Sequence, residues 1–555
     1  NGSVNFCYST GDVLCYQYAG GLIALNTGTA TVNNCFSVGS VSIEEDFAGG
    51  LVAWNSGSIN NCYSVGLVKG GNNIGGLIGY NEGVVISSYW DIDTSGQTES
   101  AGGKGKYTSE MMQELTYDGW DFVRVWDILE TWTYPWLQQL PCPYNRVIPI
   151  GSIIELQRIG NEPNYPLDAD YVLVQDIDAS ETELWDGGRG FKPIGNETNP
   201  FEGSLNGKNY KITDLFIFRD TEQHVGLFGY IGNSSRIEAL ILDDVQIVGM
   251  ERTGGIVGFN KGEVPHCTVS GTVTASYSAG GLIGVNAGEG KVVSYCATNC
   301  SVSGKSYLGG LIGINASGVE NCYSIGTTTG EYMIGGLVGY NTDTYVRYSY
   351  SVGEVNGSND YIGGLIGYNE AEVTNCFSLS PTSGETYIGG LIGYLTFLGY
   401  VKNCYSAGRV EGFTDVGGLI GFGIGSGVDN SYWDIETSGQ ISSSAGVGKT
   451  TEEMRRQTTY VGWDFDQIWN ILETRTYPWL ESLPPPFNIV IPISSIDELQ
   501  MIGNVVGYPL DGYYELTQDI DASETASWNG GEGFIPIGDS TNPFIGRFDG
   551  KGFTI

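Results

Sequence analysis

The chain has 555 residues, and its 63 Asp and Glu against 25 Lys and Arg give a net charge of −38. Such a field repels phosphate backbones and anionic lipid surfaces, so neither nucleic-acid binding nor direct membrane insertion is expected, and no apolar run reaches membrane-spanning length. With 41% hydrophobic and 16% charged residues the composition is that of a folded chain, and the 85 Gly suit a turn-rich β-solenoid.

Residues 1–88 read as rungs of a short repeat. Gly-Gly, a branched or Leu pair, a small residue and an aromatic or aliphatic one recur at Gly20, Gly49 and Gly75, as in Gly75-Gly76-Leu77-Ile78-Gly79-Tyr80. Later copies start at 254, 280, 309, 335, 363, 389 and 417, a period of about 27 residues. The common rung is Gly-Gly-Leu-Ile-Gly-Tyr-Asn followed by Val-x-Asn-Cys-Tyr-Ser-x-Gly-x-Val-x-Gly. That is three β-like runs punctuated by Asn, Ser and Gly. The expected fold is therefore all-β: a parallel β-helix solenoid, right-handed by the general bias of parallel crossovers. Each triangular coil adds about 4.8 Å, with like residues stacked on like.

Residues 89–145 interrupt the rungs and complete the C-terminal part of one repeat unit, 1–145. A short helix with a Thr N-cap is expected over Thr108–Thr116, followed by Trp120, Trp126, Trp136 and a Pro-bearing exit at Pro141 and Pro143. A complete unit occupies 146–488. Its opening cap is 146–220, with a helix at Ser152–Gln157 and a strand at Tyr171–Asp176; rungs fill 221–430, and a second Trp-rich segment spans 431–488. Residues 489–555 begin a third unit. The long period is 343 residues: Tyr89–Gln97 returns as Tyr432–Gln440, and Trp120, Trp126, Trp136 and Trp185 return as Trp463, Trp469, Trp479 and Trp528. A solenoid needs its open end covered, and the Trp-rich segments are the expected covers and joints. Both chain ends fall inside a unit, so the chain is expected to be a window on a longer tandem array.

The repeat places Cys in register, as in Asn34-Cys35-Phe36-Ser37 and Asn321-Cys322-Tyr323-Ser324, with Ser349 and Ser431 at the same position in other rungs. A position that accepts Ser is no obligate metal ligand, and CxxC spacing is missing. Strict alternation after Val319 would put Tyr323 and Ile325 inward and Cys322 and Ser324 outward; a bend at Asn321 would instead bury the Cys, the arrangement favoured here. Disulfides between neighbouring rungs, Cys35 with Cys62 or Cys376 with Cys404, remain an alternative.

The core Gly-Leu-hydrophobic-Gly, as in Gly76-Leu77-Ile78-Gly79, Gly281-Leu282-Ile283-Gly284 and Gly390-Leu391-Ile392-Gly393, resembles the GLUG motif. Ala24 and Ala53 replace the last Gly in two copies. The resemblance implies extracellular β-helical stalks, adhesins and cell-wall or autotransported proteins of bacteria and archaea. Some members of that family are attached to immunoglobulin-cleaving metallopeptidases.

No catalytic or cofactor site is expected, and the protein is not expected to be an enzyme. Two His, His224 and His266, lie in unrelated rungs, and neither His-Glu-x-x-His nor a nucleophile elbow is present. The carboxylate pairs Asp91/Asp93 and Asp176/Asp178 recur as Asp434/Glu436 and Asp519/Asp521, a recurrence better suited to structure than to a sugar-cleaving site. Asp243/Asp244 is a further pair. Read as Asp-x-Asp on a strand, Asp91, Asp93, Asp176, Asp178, Asp434, Asp519 and Asp521 are weak calcium candidates. Six Asn-x-Ser/Thr sequons occur, at Asn1, Asn196, Asn233, Asn299, Asn315 and Asn356. The function expected is that of a structural or adhesive surface protein, a stalk or filament body whose units meet end to end. Glycans or other cells are candidate partners, through Trp54, Trp90 or exposed Tyr ladders. A carbohydrate-active β-helix enzyme is the alternative.

Overall fold

The computed structural model describes residues 2–143, 147–424, 427–486, 490–505, 508–510 and 512–555. It falls into two compact units, Asn1–Ile148 with Asn161–Asp170, and Pro149–Gly160 with Tyr171–Ile555. The fold is an all-β parallel solenoid with rungs of about 27 residues and little helix.

In the second unit the chain winds through three walls. The Ile-Gly-Tyr-Asn segments, from Phe228–Ile231 to Ile420–Gly423, form an eight-stranded first wall, and those from Val264–Pro265 to Gly427–Asp429 form a seven-stranded second wall. A 20-stranded third wall begins with continuous strands such as Ile241–Gly254 and Ala297–Gly309, then breaks into three fragments per rung, as in Tyr323–Ser324, Thr328–Gly330 and Tyr332–Gly335. Register is strict: Ile366 pairs with Ile392 and Tyr368 with Tyr394. The first unit repeats the plan with fewer rungs, for example Ser3–Asn5, Thr31–Asn33, Ser58–Asn60 and Val84–Ile86 stacked in order.

The Gly-Gly pair marks where walls meet. A Cβ on Gly364 would sit 2.1 Å from the Gly390 carbonyl oxygen and 2.3 Å from Ser378 Oγ, so no side chain fits there. The small side chain opposite is part of the same joint: Ser351 Oγ donates to Gly364 O at 2.6 Å, and Ser406 Oγ to Gly418 O at 2.6 Å.

Inside the coil, stacked rungs satisfy their own polar groups. Asn260, Asn286, Asn315, Asn341 and Asn369 form a buried ladder in which each Nδ2 donates to the next Oδ1 at 2.7–2.8 Å. Cys and Ser form a second ladder. Cys296 Sγ accepts from Cys267 N and Cys322 Sγ from Cys296 N, both at 3.4 Å, while Ser349 Oγ accepts from Cys322 N at 3.1 Å. The position thus needs a small group that can accept one hydrogen bond, which both residues provide. The Cys of the rungs are free thiols, so the alternative of bridges between Cys35 and Cys62 or Cys376 and Cys404 is not what forms, and burial pushes Cys267, Cys296 and Cys376 well above the ordinary thiol range.

The bend decides which side chains are inward. Asn321 has φ 51°, as do Asn34, Asn375 and Asn403, the left-handed conformation that Asn tolerates best among residues with a Cβ. It flips the alternation, so Cys322 and Ser324 are buried. Tyr323, expected inward under strict alternation, faces out of the coil.

Helix boundaries also shift. The expected Thr108 cap lies one residue earlier, at Tyr107, and the helix is Thr108–Met111 followed by a 3-10 turn at Glu114–Thr116. At the second copy Thr450 caps Thr451–Met454, accepting from Glu453 N. The helix expected over Ser152–Gln157 is Ile153–Arg158, and Ser152 is its N-cap.

Candidate functional site

The Trp-rich segments do more than cover a coil end: each runs back along a flank of its own solenoid. Outward Tyr and Phe after the Cys position stack down the third wall, Tyr323 on Tyr350, Tyr350 on Phe377 and Phe377 on Tyr405, with centroids 4.8–5.0 Å apart. Over this ladder lies residues 451–484. Trp463 Nε1 donates to Asn430 O at 2.9 Å, Trp469 Nε1 to Asn375 Oδ1 at 3.4 Å, and Ser482 Oγ to Asn321 Oδ1 at 2.7 Å. Tyr405 OH reaches Pro478 O at 2.6 Å and Tyr350 OH reaches Pro484 O at 2.8 Å. The strap therefore descends rung by rung from Asn430 to Asn321. In the first unit Trp120 donates to Ser87 O, Trp126 to Asn34 Oδ1, and Tyr63 to Pro135 O. The sequence did carry a signal for this: in the second unit aromatics follow the repeat Cys at Tyr323, Phe377 and Tyr405, in rungs the strap reaches, while Thr268 and Ala297 stand at that position in earlier rungs; in the first unit Tyr8, Phe36 and Tyr63 follow it.

The coil end itself is plugged by Trp90 and Trp433, which take the position of the inward Ser. Both are buried, so Trp90 is unavailable as a glycan contact. The adjacent Asp91 and Asp434 are wholly buried. Asp434 Oδ1 accepts from Glu436 N and Thr437 N, and its Oδ2 from Thr451 Oγ1 and Tyr477 OH, each at 2.7 Å. Asp91 likewise takes Thr94 N, Thr108 Oγ1 and Tyr134 OH. Each is a helix N-cap and a latch that holds the strap to the plug. Burial and Asp434 push the Tyr477 phenol up to about 12.

The other calcium candidates are also engaged by the chain, and the Asp-x-Asp strand geometry is not what forms at Asp91 and Asp93. Asp93 lies in the helix Ile92–Ser95 and accepts from Thr108 N at 3.0 Å. Asp176 accepts from Lys211 N, Asp178 from Ser180 N, Asp519 from Thr554 N and Asp521 from Ser523 N. Among the described residues no three His, Cys, Asp or Glu gather as a metal-ligand set. His224 is half-buried against Arg252, with its Nε2 2.9 Å from the guanidinium; burial and that charge lower its pKa.

An aromatic seam runs along one corner of the second unit. Two columns interlock there: Tyr340, Tyr368, Tyr394 and Phe422 from the first wall, and Tyr307, Tyr361 and Tyr387 from the end of the third. Tyr368 stacks on Tyr394 at 4.9 Å and 9°, and Tyr361 on Tyr387 at 5.2 Å and 19°. Contacts of Tyr361 and Tyr387 with the other column are edge-on, while Tyr307 is tilted at 45° to Tyr340. Tyr361 and Tyr387 hold φ of 67° and 59°. Their column continues through His224, Arg252, Ser278, Met333 and Asp415, all with positive φ and none β-branched. Ring faces are consumed by stacking, leaving half-exposed edges and hydroxyls. Tyr340 OH donates to Glu370 Oε2 at 2.8 Å, and burial together with that carboxylate raises its pKa to about 12. In the first unit Trp54, half-exposed, packs on Tyr80 at 4.7 Å in the same place. The seam can offer hydroxyls and ring edges to a glycan, but no flat aromatic platform.

No family model matches the chain. It is 36% identical over 144 residues to "Halomucin" of Haloquadratum walsbyi, covering 25% of this chain and 2% of that protein. It is 36% identical over 383 residues to a "Putative Gly-rich membrane protein" of Evansella cellulosilytica, covering 56% of this chain and 41% of that protein. The chain thus spans less than half the length of these curated relatives. Among solved structures it is similar to one described as a "putative immunoglobulin A1 protease" from Bacteroides ovatus, at 18% identity and TM-score 0.34, covering 60% of this chain and 92% of the other. A structure named "IgA1 Protease" is 17% identical with TM-score 0.36, covering 64% and 26%. The expectation that the protein is not an enzyme is corrected on this finding, because both structures carry the name of an enzyme. At this distance the likeness assigns no catalytic residue to this chain.

Proposed function

We propose that this chain forms part of the repeating body of an extracellular, cell-surface stalk that meets glycans or other cells along its aromatic seam. The observation that carries the reading is the double construction of one strapped coil end, 343 residues apart, with the same Trp–Asn, Tyr–Pro and Asp–Tyr contacts. Repeating a closed, stiff module suits a part that provides reach. The Gly-Leu-hydrophobic-Gly core supports placement among GLUG-repeat surface proteins. The names of the two relatives support a surface location. Among the described residues no helix is long and apolar enough to cross a membrane. Successive units, or separate subunits, would join end to end.

Immunogold labelling of intact cells with antibodies raised against the 555-residue chain, followed by negative-stain microscopy of the extracted protein, tests the proposal. Surface label and extended particles with an axial repeat of one 343-residue unit are expected. Label confined to the cell interior, or particles without an axial repeat, would overturn it.

A further inference from the structure

In the third wall of the second unit the middle fragment ends at Val410–Glu411, which pairs with Thr382–Ser383 of the preceding rung, while the neighbouring fragment runs on to Tyr432–Asp434 and Val447–Lys449. Beyond it the Gln440 side chain closes the edge, its Nε2 donating to Val410 O at 2.9 Å. This step leaves an open groove of about 880 Å³ lined by Glu385, Arg409, Glu411, Phe413, Glu436 and Gln440 among others. Its volume lies in the range of ligand-binding clefts, roughly 300–1,000 Å³.

Phe413 is the feature the repeat does not explain. It is 86% exposed, it follows Glu385 in its column by the Thr386–Thr414 pairing, and Gly71 holds its place in the first unit, counting back from Gly-Gly. A large ring displayed in one unit and deleted in the other serves no shared packing role. Around it the groove carries three carboxylates and one guanidinium. Arg409 is already paired with Glu411, which leaves Glu385 and Glu436 as its net negative charge.

We propose that this groove binds a chain of protonated amino sugars, hexosamine units with free ammonium groups. The sugar face lies on Phe413, where a cation is attracted to the ring, the ammonium groups turn to Glu385 and Glu436, and ring hydroxyls meet Ser383, Thr437 and Gln440, which line the same groove. Uronic-acid and sulfated glycans are disfavoured by charge. A basic peptide added as a further strand would need the Val410 carbonyl as partner, and Gln440 holds it. The inference rests on the adhesive reading above and adds to it a glycan site separate from the aromatic seam.

Isothermal titration of the 555-residue chain with a glucosamine oligomer, at slightly acid pH where the amines are charged, tests it. Saturable binding is expected, weakened about three- to tenfold by Phe413→Ala and similarly by Glu385→Gln, with thermal melting unchanged. The N-acetylated oligomer and an oligogalacturonate should bind more weakly than the free amine. Absence of saturable binding, equal affinity in Phe413→Ala, equal affinity for the acetylated oligomer, or tighter binding of oligolysine would each overturn the proposal. Loss of groove binding while intact cells still label leaves the surface reading standing; unlabelled cells sink that reading separately.

Discussion

Replacing Trp469 by Ala should release the strap of the second unit without unravelling its coil. Trp469 is 1% exposed and packs on Phe377, Tyr405 and Trp463, the last at 4.4 Å. A buried Trp cut to Ala typically costs about 3–5 kcal/mol, including the cavity left behind, and the Nε1 bond to Asn375, long at 3.4 Å, adds little. The rungs do not depend on this side chain, because their hydrogen bonds run between coils, as in Leu337 N to Leu365 O at 2.9 Å. The loss should therefore fall on a local opening, where each 1.4 kcal/mol is about tenfold. Native-state hydrogen exchange is the assay. Amides that close the strap, such as Trp469 N to Asp464 O and Glu481 N to Ile468 O, should exchange about a hundred- to a thousandfold faster, with rung amides and the Trp126 strap of the first unit unchanged. Strap amides that keep their parent rates, or rung amides that accelerate equally, would refute the separation of strap from coil.

Three further outcomes follow from the same structure. Gly364→Ala meets the Gly390 carbonyl oxygen as well as Ser378 Oγ, and the backbone contact cannot be relieved by a side-chain rotation, so neighbouring rungs must part; a loss of about 3 kcal/mol or more is expected in chemical denaturation, and a parent-like midpoint would count against the steric account. Cys322→Ser should stay within about 1 kcal/mol of the parent, because Ser349 performs the same acceptor role, whereas Cys322→Val leaves the Cys296 N–H unpaired and should cost about 1–3 kcal/mol; equal stability of the two variants would remove the ladder's role. Raising the pH should loosen the second strap through Tyr477. Its phenol is raised from about 10 in the unfolded chain to about 12 in the fold, so its contribution is full below pH 10 and is lost as pH rises towards 12, where the folded state alone retains the proton. Tyrosinate absorbance followed together with near-ultraviolet circular dichroism reads this, and a strap signal lost already at neutral pH would contradict it.

Much of the coil was legible because stacking makes local sequence repeat. Gly-Gly, the inward Leu-Ile pair and the Asn after Tyr recur in register since each sits on its own copy one rung away. The exchange of Cys for Ser was visible, although the reason, a shared acceptor for the preceding rung's N–H, required coordinates. The carboxylates were less legible. Asp91 and Asp434 recur with the same contacts, but Asp-x-Asp spacing suggested a strand with paired oxygens where the chain turns into a helix and uses the first Asp as its cap. Trp90 and Trp54 looked equally available from sequence; burial at the coil end removes the first and leaves the second half-exposed.

By itself, the sequence determined the period, the parallel stack, the 343-residue recurrence and the identity of the ladder residues, all properties of contacts between adjacent rungs. Tertiary structure alone decided the lateral course of the straps and the place of the open groove. The strap's partners lie far away in sequence, Trp469 with Asn375 and Ser482 with Asn321, and no periodic pattern encodes which flank a chain will cross. The seam depends on left-handed residues such as Tyr361 and Tyr387, whose side chains are aimed by φ and not by alternation. The groove exists because the middle fragment of the third wall ends at Val410–Glu411 while Phe413 remains in the open.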